Sequence, residues 1–198
     1  MSKITKRREQ IRNLVLVALL AALVVIFQSL SNVIKVGPIA ITLTLIPVVL
    51  GGCLLGKKWG AVLGFLFGVV VSVFVVTGVD AGGYILFTVN PIITILLCLA
   101  KGTAAGFVAS LVYGLLEKTD KTVATAVAAM IAPVVNTGLF ILAMLVFYTD
   151  TLSAWAGGQD VVIYILTGLA GWNFIFEFAA SAIISPVIAT VIRVTGKK

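Results

Sequence analysis

Histidine is absent from this 198-residue chain, and only two cysteines occur, Cys53 and Cys98. The first absence removes the commonest general base and, with no CxxC spacing present, the usual zinc ligand sets, so no metal site is expected. Both cysteines lie in apolar runs, where a thiol packs as a small hydrophobe, and no disulfide is expected. Charge is equally scarce. Only 11% of residues are charged, against roughly 25% in soluble domains. So few charges cannot cover a surface that faces water. No GxxxxGK[ST], HExxH or GxSxG motif occurs, so the chain carries no nucleotide site, no metalloprotease site and no nucleophile elbow of its own. Neither a catalytic function nor a cofactor is expected.

What is abundant is apolar sequence. Hydrophobic residues make up 61% of the chain, and the mean hydropathy is +1.23. The 19 glycines sit mostly inside the apolar runs rather than in linkers, as expected where helices approach one another closely in lipid. The composition is that of an all-α integral membrane protein. Six candidate spans of the length a bilayer requires can be placed at residues 11–30, 39–55, 59–78, 88–116, 123–148 and 161–194, in one transmembrane domain covering 1–198. Ile11–Leu30 follows a cluster of basic residues, and its run is long for a signal peptide. Gln28–Asn32 offers no small-x-small cleavage site, so this segment is expected to be a retained first helix.

The net charge of +7 does not indicate nucleic acid, because the basic residues form no face. They are confined to gaps between spans. With the N-terminus inside, 12 of the 14 basic residues fall on the inner side, and Asp80, Asp150 and Asp160 fall outside. The positive-inside rule therefore sets both termini in the cytoplasm, making a six-helix bundle, N-in and C-in, in the cell membrane. No inverted repeat is evident.

Chemistry can reside only in the few polar residues within the spans. Lys101 lies in the fourth span and Glu177 in the sixth. Asn173 lies one turn before Glu177, at i and i+4, so the two share a helix face. Asn136 lies in the fifth span, and Asn90 opens the fourth. An ionisable group in a span costs roughly 2.5–3.5 kcal/mol on insertion scales and needs a partner, water or a ligand. Two readings are open: Lys101 and Glu177 pair and hold helices together, or they line a ligand pocket. Aromatics gather near the outer ends, as in an interfacial belt. Trp155 fits that belt, whereas Trp172, beside Asn173, and Tyr84 are candidate pocket walls. Small residues four apart, Gly60, Gly64 and Gly68 in the third span and Gly102 and Gly106 in the fourth, suit close helix packing. Ala18 and Ala22 in the first span suit either internal packing or an external partner helix.

The order of several short motifs along the chain resembles a known group. These are Ala18-x-x-x-Ala22, Pro47–Gly52 leading through Leu55-Gly56-Lys57-Lys58-Trp59-Gly60-Ala61, and Ala100–Gly106. Together they are similar to the substrate-binding S component of energy-coupling factor (ECF) vitamin transporters. The resemblance implies capture of a vitamin or cofactor precursor from outside, for ATP-driven uptake with a transmembrane coupling subunit and two cytoplasmic ATPases. It makes Lys101, Asn136, Asn173 and Glu177 the pocket candidates, with Asn90, Tyr84 and Trp172 secondary. It makes Ser31–Thr42 a lid, and it turns Ala18 and Ala22 toward the coupling subunit. A pocket lysine suits an anion, which ranks pantothenate first; riboflavin is next, because its large flat ring suits Trp172 and Tyr84, and queuosine precursors, folate and a pyridoxine-type vitamin stay open. The rival readings are a stand-alone ion-coupled secondary transporter using Glu177 or Lys101, a membrane-embedded enzyme, and a structural scaffold.

Overall fold

The structure, a computed structural model, describes residues 3–31, 35–36, 39–40, 43–169 and 171–195, with the side chains of residues 3–6, 35–36, 39–40, 172–173 and 195 outside that set. It is almost wholly helical. Helix α1 runs Lys3–Ser31, α2 Leu45–Leu55, α3 Lys57–Val76, α4 Ala81–Val89 and α5 Pro91–Leu116. Then come α6 Lys121–Phe147, α7 Thr149–Ala156, α8 Val161–Tyr164, a π-helical turn at Ile165–Leu169, and α9 Gly171–Thr195. Between α1 and α2 two short strands, β1 Lys35–Val36 and β2 Ile39–Ala40, pair antiparallel.

Among the described residues, five segments are long and apolar enough to cross a bilayer: Arg7–Ser31, Lys57–Val76, Pro91–Leu116, Lys121–Phe147 and Val161–Val194. They bear out an all-α membrane protein. The second expected span, 39–55, is shorter in the structure. At about 1.5 Å per residue, the 11 residues of Leu45–Leu55 rise only about 17 Å, roughly half of a hydrocarbon core. Pro47 explains where α2 starts. A helix begun at Ile39 would put this proline in its interior, where it breaks a hydrogen bond and clashes one turn back. Begun at Leu45, it leaves Pro47 in the first turn, where no N–H is needed. The fourth expected span, 88–116, is α5, which starts three residues later than expected, at Pro91. Asn90 between α4 and α5 has an extended backbone and accepts from the Ile93 amide at 3.1 Å, and Pro91 occupies the first helical position, where a missing N–H costs nothing. Two segments read as polar loops, around Asp80 and after Tyr148, are the short helices α4 and α7. Asp80 starts α4 by accepting from the Gly83 amide at 3.0 Å.

Small residues line the contact between α3 and α5, and large aliphatics cover much of the exterior. Helix α3 buries Gly60, Gly64 and Gly68 beside Leu63, Phe67, Val71 and Val75. Helix α5 buries Cys98, Gly102, Ala105, Gly106 and Ala109. These two helices make the most extensive contact in the molecule. A methyl group on Gly64 would collide with the Gly102 carbonyl, and one on Gly106 with the Gly60 carbonyl. The two glycine rows therefore face each other backbone to backbone. Leu115, Ile92, Val146 and Ile183 are among the many exposed aliphatics. Lipid tails are as apolar as leucine, so what holds the helices together is close approach rather than expulsion of oil from water.

At the far end from the cavity described below, Asp120 caps α6, accepting from the Thr122 and Val123 amides. Those two amides, Val123 first, hold its carboxyl below the usual carboxylate range. Arg193, near the end of α9, donates to the Thr122 hydroxyl and ties the two helices there. At the other end of α1, Ser31 accepts from the Leu43 amide at 3.3 Å, and the Thr44 hydroxyl donates to the Gln28 side-chain oxygen at 2.9 Å. The rest of the expected lid, Ser31–Thr42, lies largely outside the described residues.

Candidate functional site

Each long helix contributes one half of its length to a single cavity of about 90 Å³, room for roughly half a dozen waters. Gln28 comes from the end of α1; Phe67, Val71 and Val75 from the second half of α3. Thr94, Leu97, Cys98 and Lys101 come from the first half of α5; Asn136, Thr137 and Phe140 from the second half of α6; Glu177 from the start of α9. All these half-helices lie at the end of the bundle away from Lys57, Lys58, Lys118 and Lys121. The short helices close that end, with Asp80, Gly82, Gly83 and Leu86 of α4, Trp155 of α7, and Leu169 of the π-helical turn.

Lys101 is the eleventh residue of α5, about 15 Å along from its start, so it sits near mid-membrane. Its ammonium lies 5.4 Å from the centre of the Phe140 ring, within range of a cation–π contact. That contact steadies the charge without neutralising it. Asn136 is only 5% exposed, and its carbonyl Oδ1 is buried with no hydrogen-bond partner among the described residues. An orphan acceptor of this kind costs about 1–3 kcal/mol unless something supplies a donor. Glu177 is 2% exposed. The three groups face one shared space: a cation, a carboxylate and an unsatisfied acceptor. Such a set can hold a small polar molecule that brings an anionic group and a hydroxyl or amide donor, while Phe67, Phe140 and Trp155 supply apolar wall.

Not every residue singled out from the sequence lines this cavity. Tyr84 is 44% exposed on α4, and Asn90 acts as the α5 cap. Neither is part of the lining. For Trp172 and Asn173 the side chains lie outside the described residues. Conversely Trp155, read as an interfacial aromatic, turns inward to the cavity. Gln28, Thr94, Thr137 and Asp80 line it as well, and none was singled out. Threonine and glutamine near span ends are common enough to carry little signal. The one available cue was position, since Thr94 lies one turn past Asn90 and Thr137 is adjacent to Asn136.

Compared with known protein families, residues 12–189 match the ECF transporter, substrate-specific component. The chain belongs to this family. A comparison with curated proteins finds no match. As an ECF substrate-specific component, the chain is a membrane protein that binds a small-molecule substrate for ECF-mediated uptake and works with an ECF coupling module of transmembrane and ATPase subunits. The lack of any nucleotide motif accords with that division of labour.

Proposed function

We propose that this substrate-specific component captures a vitamin or cofactor precursor, the anionic pantothenate ahead of the neutral riboflavin, in the cavity among α1, α3, α5, α6 and α9. Lys101 meets the carboxylate by a charge-assisted hydrogen bond, and Asn136 accepts from a hydroxyl or amide of the ligand. Glu177 and Asn173 complete the polar side, and Trp172 adds to the wall. The observation that carries this reading is the buried, unpartnered Asn136 Oδ1 lining the same cavity as Lys101. Pantothenate offers one carboxylate with hydroxyls and an amide, which matches this set. Riboflavin would rest mainly on aromatic surface.

Both termini lie in the cytoplasm on this reading, which the distribution of basic residues supports. The cavity then opens toward the outside, in the half of the bundle remote from the basic loops. Helix α1 presents Ala18 and Ala22 to the coupling subunit. Both are exposed, and α1 is the least buried of the five spans.

The test is calorimetry on the purified protein in nanodiscs with a panel of B vitamins, together with mass spectrometry of whatever co-purifies. Tight pantothenate binding that Lys101→Ala and Asn136→Ala each weaken is the expected result. Binding of riboflavin alone would move the assignment to the aromatic wall. Absence of any vitamin binding, with gradient-driven uptake by liposomes holding this chain alone, would replace capture by stand-alone transport.

A further inference from the structure

The end of the bundle above the cavity has a small apolar core of its own. Leu86 of α4, Met144 of α6, Tyr148, Leu152 of α7, and Ile165 and Leu169 of the π-helical turn are buried together, apart from the main core. Leu86, Leu169 and the adjacent Trp155 also line the cavity. Tyr148 is among the most deeply buried large side chains of the molecule. It stands at the break between α6 and α7, just as Asn90 stands at the break between α4 and α5. The two breaks are joined. The Tyr148 and Thr94 hydroxyls lie 3.2 and 2.8 Å from the Asn90 carbonyl and 2.7 Å from each other. With one hydrogen each, they make two hydrogen bonds at a time among these three contacts. Thr94 is 1% exposed and belongs to the cavity wall.

From this geometry we infer that Tyr148 is a positioning residue: its hydroxyl clasps the α4–α5 hinge to the α6–α7 hinge, holding the two short helices closed over the cavity and fixing the Thr94 hydroxyl in its wall. At both breaks the backbone leaves helical geometry, extended at Asn90 and irregular at Tyr148, so the cap swings where those hinges swing. Apolar contacts among Leu86, Leu152 and Leu169 keep the cap together but do not direct it. The hydrogen-bonded node sets where the cap sits, because a buried hydroxyl separated from its partner is left unsatisfied. The inference concerns the same cavity as the proposed function, but it depends on that reading only for what the cap encloses.

The test needs no ligand. With Cys53→Ala, Cys98 becomes the single thiol of the chain, and it sits in the cavity wall. Its rate of alkylation by N-ethylmaleimide, in nanodiscs without vitamin, reads how often the cap opens. A hydrogen bond of ordinary net strength shifts such an equilibrium by roughly three- to tenfold. Tyr148→Phe, which keeps the ring and removes the hydroxyl, is expected to speed labelling by about that factor. Thr94→Val does the same, Thr94→Ser labels at the parent rate, and Tyr148→Phe combined with Thr94→Val is no faster than either alone. Parent-rate labelling in both Tyr148→Phe and Thr94→Val overturns the clasp. If Tyr148→Phe fails to fold, the Thr94→Val and Thr94→Ser pair decides, since valine keeps the volume of threonine without its hydroxyl and serine keeps the hydroxyl without its methyl. If the clasp variants label faster but no vitamin binds, the clasp stands and the ligand assignment falls.

Discussion

Asn136 and Lys101 make opposite demands on an empty cavity, and that separates their variants. Removing an unsatisfied buried acceptor relieves a cost of about 1–3 kcal/mol. Asn136→Leu is therefore expected to raise the melting temperature of the ligand-free protein while weakening vitamin binding. A fall in both would mean that Asn136 Oδ1 has a structural donor, and that it is not held ready for ligand. Lys101→Gln removes a charged donor whose hydrogen bonds are worth about 1.5–3 kcal/mol. It should raise the Kd for a carboxylate vitamin by roughly ten- to a hundredfold, measured by calorimetry. A neutral vitamin should lose far less. At this scale the ionisable groups within the spans were legible in the sequence, because a charge in a span is costly enough to demand a reason; Asp80, outside the expected spans, was not. Lys101, Asn136 and Glu177 do converge. Thr94, Thr137 and Gln28 were not legible, because their burial cost is small and a hydroxyl can satisfy itself on its own helix, as Thr94 does on the Asn90 carbonyl. Trp155 was misjudged, since its place in a seemingly polar stretch looked like a membrane interface.

Between elements, the decisive contact is the glycine-on-glycine face of α3 and α5. Its spacing was readable as a packing pattern, and the structure gives it a partner and a register: Gly64 against Gly102, Gly60 against Gly106. The obstacle to a side chain there is backbone, which cannot rotate away. Gly64→Leu or Gly102→Val is expected to destabilise the fold by at least the 1–3 kcal/mol of ordinary overpacking, seen as loss of the monodisperse detergent-solubilised protein or a fall in its melting temperature. Gly138, with open space where its Cβ would be, should accept alanine, and that contrast checks that packing is the cause. The role of Asn90 was harder to read. Asn90-Pro91 is a helix-start signature, yet in a continuous apolar run Asn90 looked like a buried polar residue awaiting a ligand. Its side chain caps α5, so Asn90→Ala should cost about 1 kcal/mol of stability, and Asn90→Ser should recover most of it. If Asn90→Ser lost vitamin binding as severely as Asn90→Ala while restoring stability, Asn90 would be contacting ligand after all. The helices α4 and α7 went unrecognised because each is short and opens among Gly, Asp or Thr. Neither buries a stripe long enough to produce a period.

Across the whole molecule, membrane character and five of the six expected long apolar segments followed from composition and run length, which depend on no tertiary detail. The second span did not, because one proline sets its start. The arrangement that results is asymmetric. Helices α3 and α5 form a close-packed spine, whereas α1 is the least buried of the spans. Along α1, Leu14, Val15, Ala18, Leu19 and Ala22 are exposed in sequence, with Leu20 and Val24 turned inward. Lipid alone would accept large residues at every exposed position. Two alanines one turn apart leave a shallow step where another helix backbone can come close. A rigid spine with one lightly held, small-residue face suits a protein that keeps its cavity intact while its outer face engages a partner. The double substitution Ala18→Leu, Ala22→Leu fills that step without touching the cavity. Co-purification with the coupling subunit and the two ATPases should then be lost, and vesicle uptake with it, while the isolated protein keeps its pantothenate affinity and melting temperature. Retained co-purification would move the docking surface off α1. A fall in affinity of the isolated protein would mean instead that α1 shapes the cavity through Gln28, so that docking and binding are not separable along this helix.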